Sequence, residues 1–180
     1  ARHFAIKREK LVVILKVGLP TAIQMVVVNI SYLLITGMLN YFGVSVAAAS
    51  GVGLKVNTFA GMPCWAIGQA VTAMVGQNIG ANNVKRVKNT TKTGLRLNIM
   101  ITLIVIIFVQ IFAGQIIMLF NPANPEVIED GIRYLRICCG MNSLVYAVMY
   151  TFDSFAIGIG SANVAMTNAL LDAVIVRLPV

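Results

Sequence analysis

The chain has 180 residues, of which 58% are hydrophobic and 11% are charged, and its mean hydropathy is +0.85. Soluble domains are about 45–50% apolar and ~25% charged, so this composition excludes an ordinary soluble domain and predicts an integral membrane protein. Lysine and arginine outnumber aspartate and glutamate by 14 to 6. In a membrane chain such cations mark the cytoplasmic side, so we expect no nucleic-acid partner.

A bilayer crossing needs ~20 apolar residues, and several stretches of about this length follow one another along the chain. The second is interrupted by glycines and Pro63, and the last is still apolar at Val180, so we expect a fragment of a larger protein. The fold class is therefore an all-α, polytopic transmembrane helix bundle with four full spans and the start of a fifth. The spans are expected at about residues 17–42, 46–75, 95–120, 132–157 and 164–180.

The charges alternate along the chain in a way that predicts its orientation. Cations gather before the first span and again at residues 85–96, whereas residues 121–130 carry three acids. By the positive-inside rule the N-terminus and the second loop lie in the cytoplasm and the acidic loop lies outside. Arg133 and Arg136, at the entry of the fourth span, go against the rule. We expect a multi-pass protein of the cell membrane.

Polar and aromatic residues recur at helical spacing on three of the spans, and residues so spaced share one helix face. The third span has few of them and is predicted to face lipid. Three such stripes, with methionine and aromatic residues between them, predict a cavity, although bonds between packed helices are the alternative for any single residue. The candidate binding residues are Asn29, Tyr32 and Thr36 on the first span, Trp65 and Gln69 on the second, and Asn142, Tyr146 and Asp153 on the fourth.

Two aspartates fall inside predicted spans, where a carboxylate costs on the order of 3 kcal/mol and is usually functional or paired. Asp172 has Arg177 on its own helix as a possible partner, whereas Asp153 has none in the sequence around it. Asp153 is therefore the better candidate for a coupling ion or a cationic substrate, with a structural hydrogen bond as the alternative.

Enzyme motifs are missing from the sequence. His3 is the single histidine, which excludes a histidine metal cluster and a buried histidine base. The residues around the two aspartates do not match an intramembrane protease. We expect neither catalysis nor a metal or organic cofactor.

The stretch "MVGQNIGANNVKRVK", residues 74–88, joins the second span to a run of cations. Gly76 and Gly80 are expected to loosen the helix end, where Gln77, Asn78 and Asn82 can bond the freed backbone. The cations that follow would meet anionic lipid at about 1 kcal/mol each. Pro63 and the glycines of the second span also permit bending, with close packing as the plainer explanation.

The same stretch resembles the Gly-Gln-Asn-x-Gly-Ala signature of the multidrug and toxic compound extrusion (MATE) transporters. "GLPTAIQ" is similar to the start of a lobe in that family, and "AIGIGSAN" is similar to the loop after its fourth helix. The resemblance covers residues 10–180 and implies the C-terminal lobe, with helices seven to eleven of twelve. Its signature residues here are Gly76, Gln77, Asn78, Gly80, Ala81 and Arg86.

The resemblance implies antiport in which sodium ions or protons drive the export of amphipathic, often cationic compounds by alternating access. The missing N-terminal lobe and membrane lipid would be partners. Sodium-coupled members carry a glutamate in the first helix of this lobe, where this chain has Val27 and Val28. Their second acid aligns near Val148 and not at Asp153. The coupling ion is therefore left open between sodium and protons.

Two other functions remain open from the sequence. A flippase for lipid-linked saccharides shares the superfamily architecture, but its cavity usually carries more cations than the predicted faces show here. A non-transporting membrane scaffold would use the polar stripes for helix packing alone.

Overall fold

The computed structural model describes residues 8–120 and 125–173, and that part of the chain contains helices and no strand. Two helices, Arg8–Phe42 and Val84–Phe120, are long and apolar enough to cross a membrane by length and composition. Two of the other helices, with 14 and 10 residues, are shorter than such a span, and the polar and glycine residues of the remaining two lower their mean hydropathy. The α-helices are α1 Arg8–Leu39, α2 Val44–Gly80, α3 Val84–Phe120, α4 Pro125–Cys138, α5 Met141–Gly158 and α6 Ala162–Leu171, with a 3-10 turn at Asn40–Phe42.

The helices extend beyond the predicted spans at several ends. The first begins at Arg8, and the third begins at Val84, so the cations of residues 85–96 lie on the first turns of α3. The second remains one α-helix through Pro63 and ends at Gly80. Helix bounds do not fix the membrane borders, so the span limits stay predictions. The end of the fifth span, with Arg177, lies outside the described residues.

The predicted fourth span is two helices, and its prediction as one helix was wrong. The chain turns at Cys139 and Gly140, between α4 and α5. The side-chain Nε2 of Gln110 on α3 donates to the carbonyl of Arg136 at 3.0 Å. A Cβ at Gly140 would lie 2.9 Å from the same carbonyl. A backbone break inside an apolar layer needs such internal partners, because lipid supplies none.

The third helix, predicted to face lipid, has an exposed apolar side that includes Leu103, Ile104 and Ile107. Its other side is buried against α2, α4 and α5, and apolar and small residues together with Asn98 and Thr102 form that side. A Cβ at Gly94 would collide with the side chain of Val71 on α2, so the two helices pack closely at this glycine. The most exposed helix is α1, where Ser31 is the one buried residue of the described range. It packs mainly against α6.

Two apolar clusters form the core between α2, α3, α4 and α5. The first contains Val109, Ala113 and Ile117 of α3 with Leu135 of α4, and the second contains Val71 and Val75 of α2 with Val87 of α3. These clusters fix α2, α3 and α5 as one unit. That unit positions the polar side chains of α5, on which the candidate site depends.

Candidate functional site

The Asp153 carboxylate joins three helices. Its Oδ1 accepts a hydrogen bond from Nδ2 of Asn168 on α6 at 3.0 Å, and its Oδ2 accepts a longer one from Nε2 of Gln24 on α1 at 3.4 Å. The side chain is half-buried. An ionised carboxylate only accepts hydrogen bonds, so it can accept both of these, one on each oxygen. The sequence showed neither partner, because Gln24 lies 129 residues away.

The charge of this group is not neutralised by a basic side chain in the part of the chain that the structure describes. Both hydrogen-bond donors are neutral amides, and the ion pair found in that part is Arg133 with Glu129, on another helix. Asp172 lies close enough to interact electrostatically with Asp153. The Asp153 carboxylate, whose hydrogen-bond partners are neutral amides, is itself an electrostatic setting that attracts a cation.

An aromatic and amide surface lies beside this carboxylate on α2 and α5. Tyr146 and Tyr150 stack with ring centroids 5.7 Å apart. The Tyr150 side chain interacts with the side chains of Gln69 and Trp65, and electrostatically with Asp153. Trp65 and Tyr146 are 52% and 44% exposed. The surface thus offers aromatic rings, amide groups and a carboxylate within two turns of α5.

Close packing at two glycines brings α2 and α5 together at this surface. A Cβ at Gly68 would enter the Tyr150 ring and lie 2.6 Å from Oγ of Ser154. A Cβ at Gly158 would lie 2.9 Å from the carbonyl of Thr72, whose own hydroxyl donates to the carbonyl of Ser154 at 3.0 Å. Small residues permit such backbone approach.

The predicted site residues divide into two groups. The structure brings together Trp65, Gln69, Tyr146 and Asp153, with Tyr150 as the contact between them. Two of the residues predicted on α1 form hydrogen bonds within their own helix. Asn29 is exposed and its Nδ2 donates to the carbonyl of Met25 at 2.7 Å, Thr36 donates to the carbonyl of Tyr32 at 2.8 Å, and Tyr32 is half-buried. The side chain of Asn142 lies outside the described residues.

A second polar pair lies on the opposite side of α5. Asn98 of α3 is fully buried, and its Nδ2 donates to Oγ1 of Thr151 at 2.8 Å. The Thr151 hydroxyl donates to the carbonyl of Ala147 at 2.8 Å. Sequence reasoning missed this pair, because it counted the polar residues of the third span and omitted Asn98. A buried amide in an apolar helix was the available signal.

The family-like stretch forms a helix-ending turn. Asn82 has φ 53° and adopts the left-handed conformation. Its N–H donates to the carbonyl of Ile79 at 2.9 Å, and the N–H of Asn83 donates to the carbonyl of Asn78 at 2.9 Å. This pair of bonds is a Schellman motif. Helix α2 continues as an α-helix through Gly76 and ends at Gly80, and the loosening expected at these glycines stays a prediction.

The same turn also starts α3. Oδ1 of Asn83 accepts the N–H of Arg86 at 3.0 Å, which makes Asn83 the N-cap of that helix. Gln77 accepts the N–H of Ala81 at 3.0 Å through its backbone carbonyl. At Gly76 a Cβ would lie 3.4 Å from the carbonyl of Gly158. The stretch therefore builds a tight, satisfied turn where α2 meets the end of α5.

The described residues contain no group of three or more histidine, cysteine, aspartate or glutamate side chains that could hold a metal ion. The potential ligand groups around Asp153 are its own carboxylate oxygens and the side-chain amides. A monovalent cation or an organic cation fits that set, because such ligands need one charge and a few neutral oxygens or aromatic faces.

The chain is similar in sequence to two proteins named as probable multidrug resistance proteins. The probable multidrug resistance protein YoeA of Bacillus subtilis is 34% identical over 119 residues, which cover 66% of this chain and 26% of YoeA. The probable multidrug resistance protein NorM of Thermotoga maritima is 28% identical over 167 residues, which cover 93% of this chain and 36% of NorM. The chain thus spans about a quarter to a third of these relatives.

Solved structures of MATE proteins share the fold. A MATE crystallised in complex with MaL6 superposes with a TM-score of 0.89 at 21% identity, covering 97% of this chain and 39% of that one. An outward-facing multidrug resistance MATE family transporter of the MOP superfamily superposes with a TM-score of 0.87 at 22% identity, covering 97% and 38%. A sequence model of the MatE family matches residues 20–180. The chain therefore belongs to the MatE family, the multidrug and toxic compound extrusion proteins.

Proposed function

We propose that the full-length protein containing this chain is a secondary active transporter that exports amphipathic cations in exchange for sodium ions or protons. The observation that carries the proposal is the half-buried Asp153 carboxylate, held by two neutral amides beside exposed aromatic rings. An organic cation gains from both neighbours, since a carboxylate supplies charge and an aromatic face supplies a cation–π contact of about 0.5–2 kcal/mol.

The chain would be part of the C-terminal lobe, helices seven to eleven, and the other lobe would form the second wall of the cavity. The relatives called multidrug resistance proteins support this size, since this chain covers about a third of NorM. In alternating access the two lobes rock about a site near the middle of the membrane. The cationic segments, residues 8–16 and 85–96, would lie on the cytoplasmic side of the cell membrane.

Asp153 would serve as the coupling or substrate site. A cation entering between α1, α5 and α6 would replace the amide N–H groups as the partner of the carboxylate, and Gln24 and Asn168 could turn their side-chain oxygens toward it. Ion and drug would then compete for one negative charge. Competition for a shared charge yields exchange if the empty transporter does not change conformation, because either cation must leave before the other binds.

The test uses the full-length protein in everted vesicles, with ethidium as the transported dye and an imposed proton or sodium gradient. The variant Asp153→Asn is compared with the wild type and with Thr151→Ser, a control that keeps its hydrogen bonds on the other side of α5. We expect the first variant to lose gradient-driven transport at normal protein level and the control to retain it. The gradient that drives the wild type identifies the ion.

Three outcomes would contradict the proposal. Full transport by Asp153→Asn would return this carboxylate to helix packing and move the coupling site to the other lobe. A wild type that binds ethidium without transporting it under either gradient would favour a scaffold. Absence of both dye binding and dye transport would favour a flippase for lipid-linked saccharides.

A further inference from the structure

The buried pair of Asn98 and Thr151 includes one polar atom that the rest of the described chain does not satisfy. Asn98 is 0% exposed, and its Nδ2 donates to Oγ1 of Thr151. Its Oδ1 is buried as well, and no donor among the described residues hydrogen-bonds to it. A buried amide oxygen without a partner lowers the ratio of folded to unfolded protein roughly five- to 150-fold, so nearly all such oxygens are paired. A partner for Oδ1 is therefore expected.

The orientation of the Asn98 amide follows from its neighbour. The Thr151 hydroxyl donates its hydrogen to the carbonyl of Ala147 at 2.8 Å. With that hydrogen engaged, Oγ1 of Thr151 can only accept, so it faces the nitrogen of the Asn98 amide and cannot serve its oxygen. The Asn98 Oδ1 consequently points away from Thr151 and needs a different donor.

A polar neighbour lies one turn further along α3. Thr102 is also buried, and residues four apart share a helix face, so its hydroxyl is on the same side of α3 as the Asn98 amide. The helices approach closely around this place. Gly94, one turn before Asn98, packs on Val71 of α2, and Ala147, one turn before Thr151, is 0% exposed. Such close packing admits only a very small ligand.

The charges of this region favour a neutral ligand over a cation. Asp153 accepts from α1 and α6 and lies on the other side of α5, so it supplies no countercharge here. Asn98 and Thr102 offer one amide oxygen and one hydroxyl, whereas a bare cation in an apolar core needs several oxygens and a negative charge. Water is small and neutral, and it can donate to the amide oxygen while it bonds to the hydroxyl.

We propose that one water molecule is bound in the core between α3 and α5, where it donates to Oδ1 of Asn98 and forms a second hydrogen bond with the Thr102 hydroxyl. Buried waters in proteins typically form about three hydrogen bonds to groups of this kind. The water completes the hydrogen bonding of the buried amide and links Asn98 to Thr102, which are otherwise separate. This site belongs to the core and does not depend on the proposed transport function.

Unfolding of the full-length protein in mixed detergent micelles tests the link. Thr102→Val removes the second partner of the water and should lower the ratio of folded to unfolded protein several-fold. In an Asn98→Leu background, where the first partner is gone, the same substitution should change the ratio by less than about twofold. Thr102→Ser, the matched control, keeps the hydroxyl and should have the same effect in both backgrounds.

A crystal structure of the full-length protein that resolves ordered waters gives a second, direct measurement. We expect a density peak about 2.7–3.2 Å from Oδ1 of Asn98 and within reach of the Thr102 hydroxyl, and we expect the peak to be lost in Asn98→Leu.

Three results would overturn the proposal. An equal effect of Thr102→Val in the wild-type and Asn98→Leu backgrounds would show that no water couples the two side chains. A buried Oδ1 without a density peak would show that the core tolerates the unsatisfied oxygen. A side chain from another part of the full-length protein that donates to Oδ1 would show that the partner is not water.

Discussion

The polar side chains on two sides of α5 lie in opposite environments, one buried and one half-buried, although Thr151 and Asp153 are close in sequence. Thr151 faces α3, where it is sealed with the fully buried Asn98. Asp153 faces α1 and α6, where it is half-buried and accepts from Gln24 and Asn168. The first side holds neutral groups that hydrogen-bond within the core, and the second holds a charge without a cationic partner among the described residues. We therefore expect a functional role for the side where charge and access coincide.

The largest expected effect comes from moving a charge to the sealed side. Asn98→Asp would place a carboxylate where the side chain is 0% exposed, beside a hydroxyl that already donates to a backbone carbonyl. An uncompensated buried charge costs about 3–5 kcal/mol, so little folded protein should form. Asp153→Asn, the reverse exchange on the open side, should change the unfolding free energy by less than about 1 kcal/mol.

Unfolding of both variants in mixed detergent micelles measures this contrast. Comparable stability of Asn98→Asp and wild type would show that water reaches Asn98 and that this side of α5 is open to solvent.

A smaller effect is expected from removing the buried hydrogen bond without adding charge. Asn98→Ala should destabilise by about 1–3 kcal/mol, because packing volume and one hydrogen bond are lost. In Thr151→Val the Asn98 amide keeps its place but loses its acceptor, which costs about 1–3 kcal/mol. The double variant should cost clearly less than the sum of the single ones, since the two groups share one bond.

Unfolding free energies of the three variants, together with dye transport per folded molecule, test the pair's role. Transport should stay near the wild-type rate in each. Strict additivity would mean that the bond at 2.8 Å contributes no coupling energy.

The smallest effect separates the two amides on Asp153. Asn168→Ala removes the shorter hydrogen bond, 3.0 Å, and Gln24→Ala removes the one at 3.4 Å. The bound cation would replace these N–H donors and gain the amide oxygens as ligands, and the Asn168 amide lies nearer the carboxylate. Asn168→Ala should therefore raise the ion concentration for half-maximal transport several-fold and Gln24→Ala by less. Ion titrations of transport measure both. A larger effect of Gln24→Ala would mean that α1 and not α6 positions the carboxylate.

The sequence was sufficient for the fold class and the family, because hydropathy and the stretch at residues 74–88 are local signals. The break after α4 was not predictable, since "ICCGM" is apolar and the bond that satisfies the break comes from Gln110 on another helix. Asp153 was selected from the sequence as a charge within a predicted span, but its partners depend on which helices pack together. Periodicity gives the face of a helix and does not identify the neighbour opposite it.

Carbodiimide labelling of the full-length protein in vesicles tests the central claim most directly, because it reads each carboxyl group separately by peptide mass spectrometry. We expect Asp153 to react, and we expect ethidium or the coupling ion to protect it in proportion to its occupancy. Asn98→Ala should leave the labelling unchanged. An Asp153 that does not react, or that reacts equally with and without these cations, would contradict an accessible cation-binding carboxylate on the open side of α5.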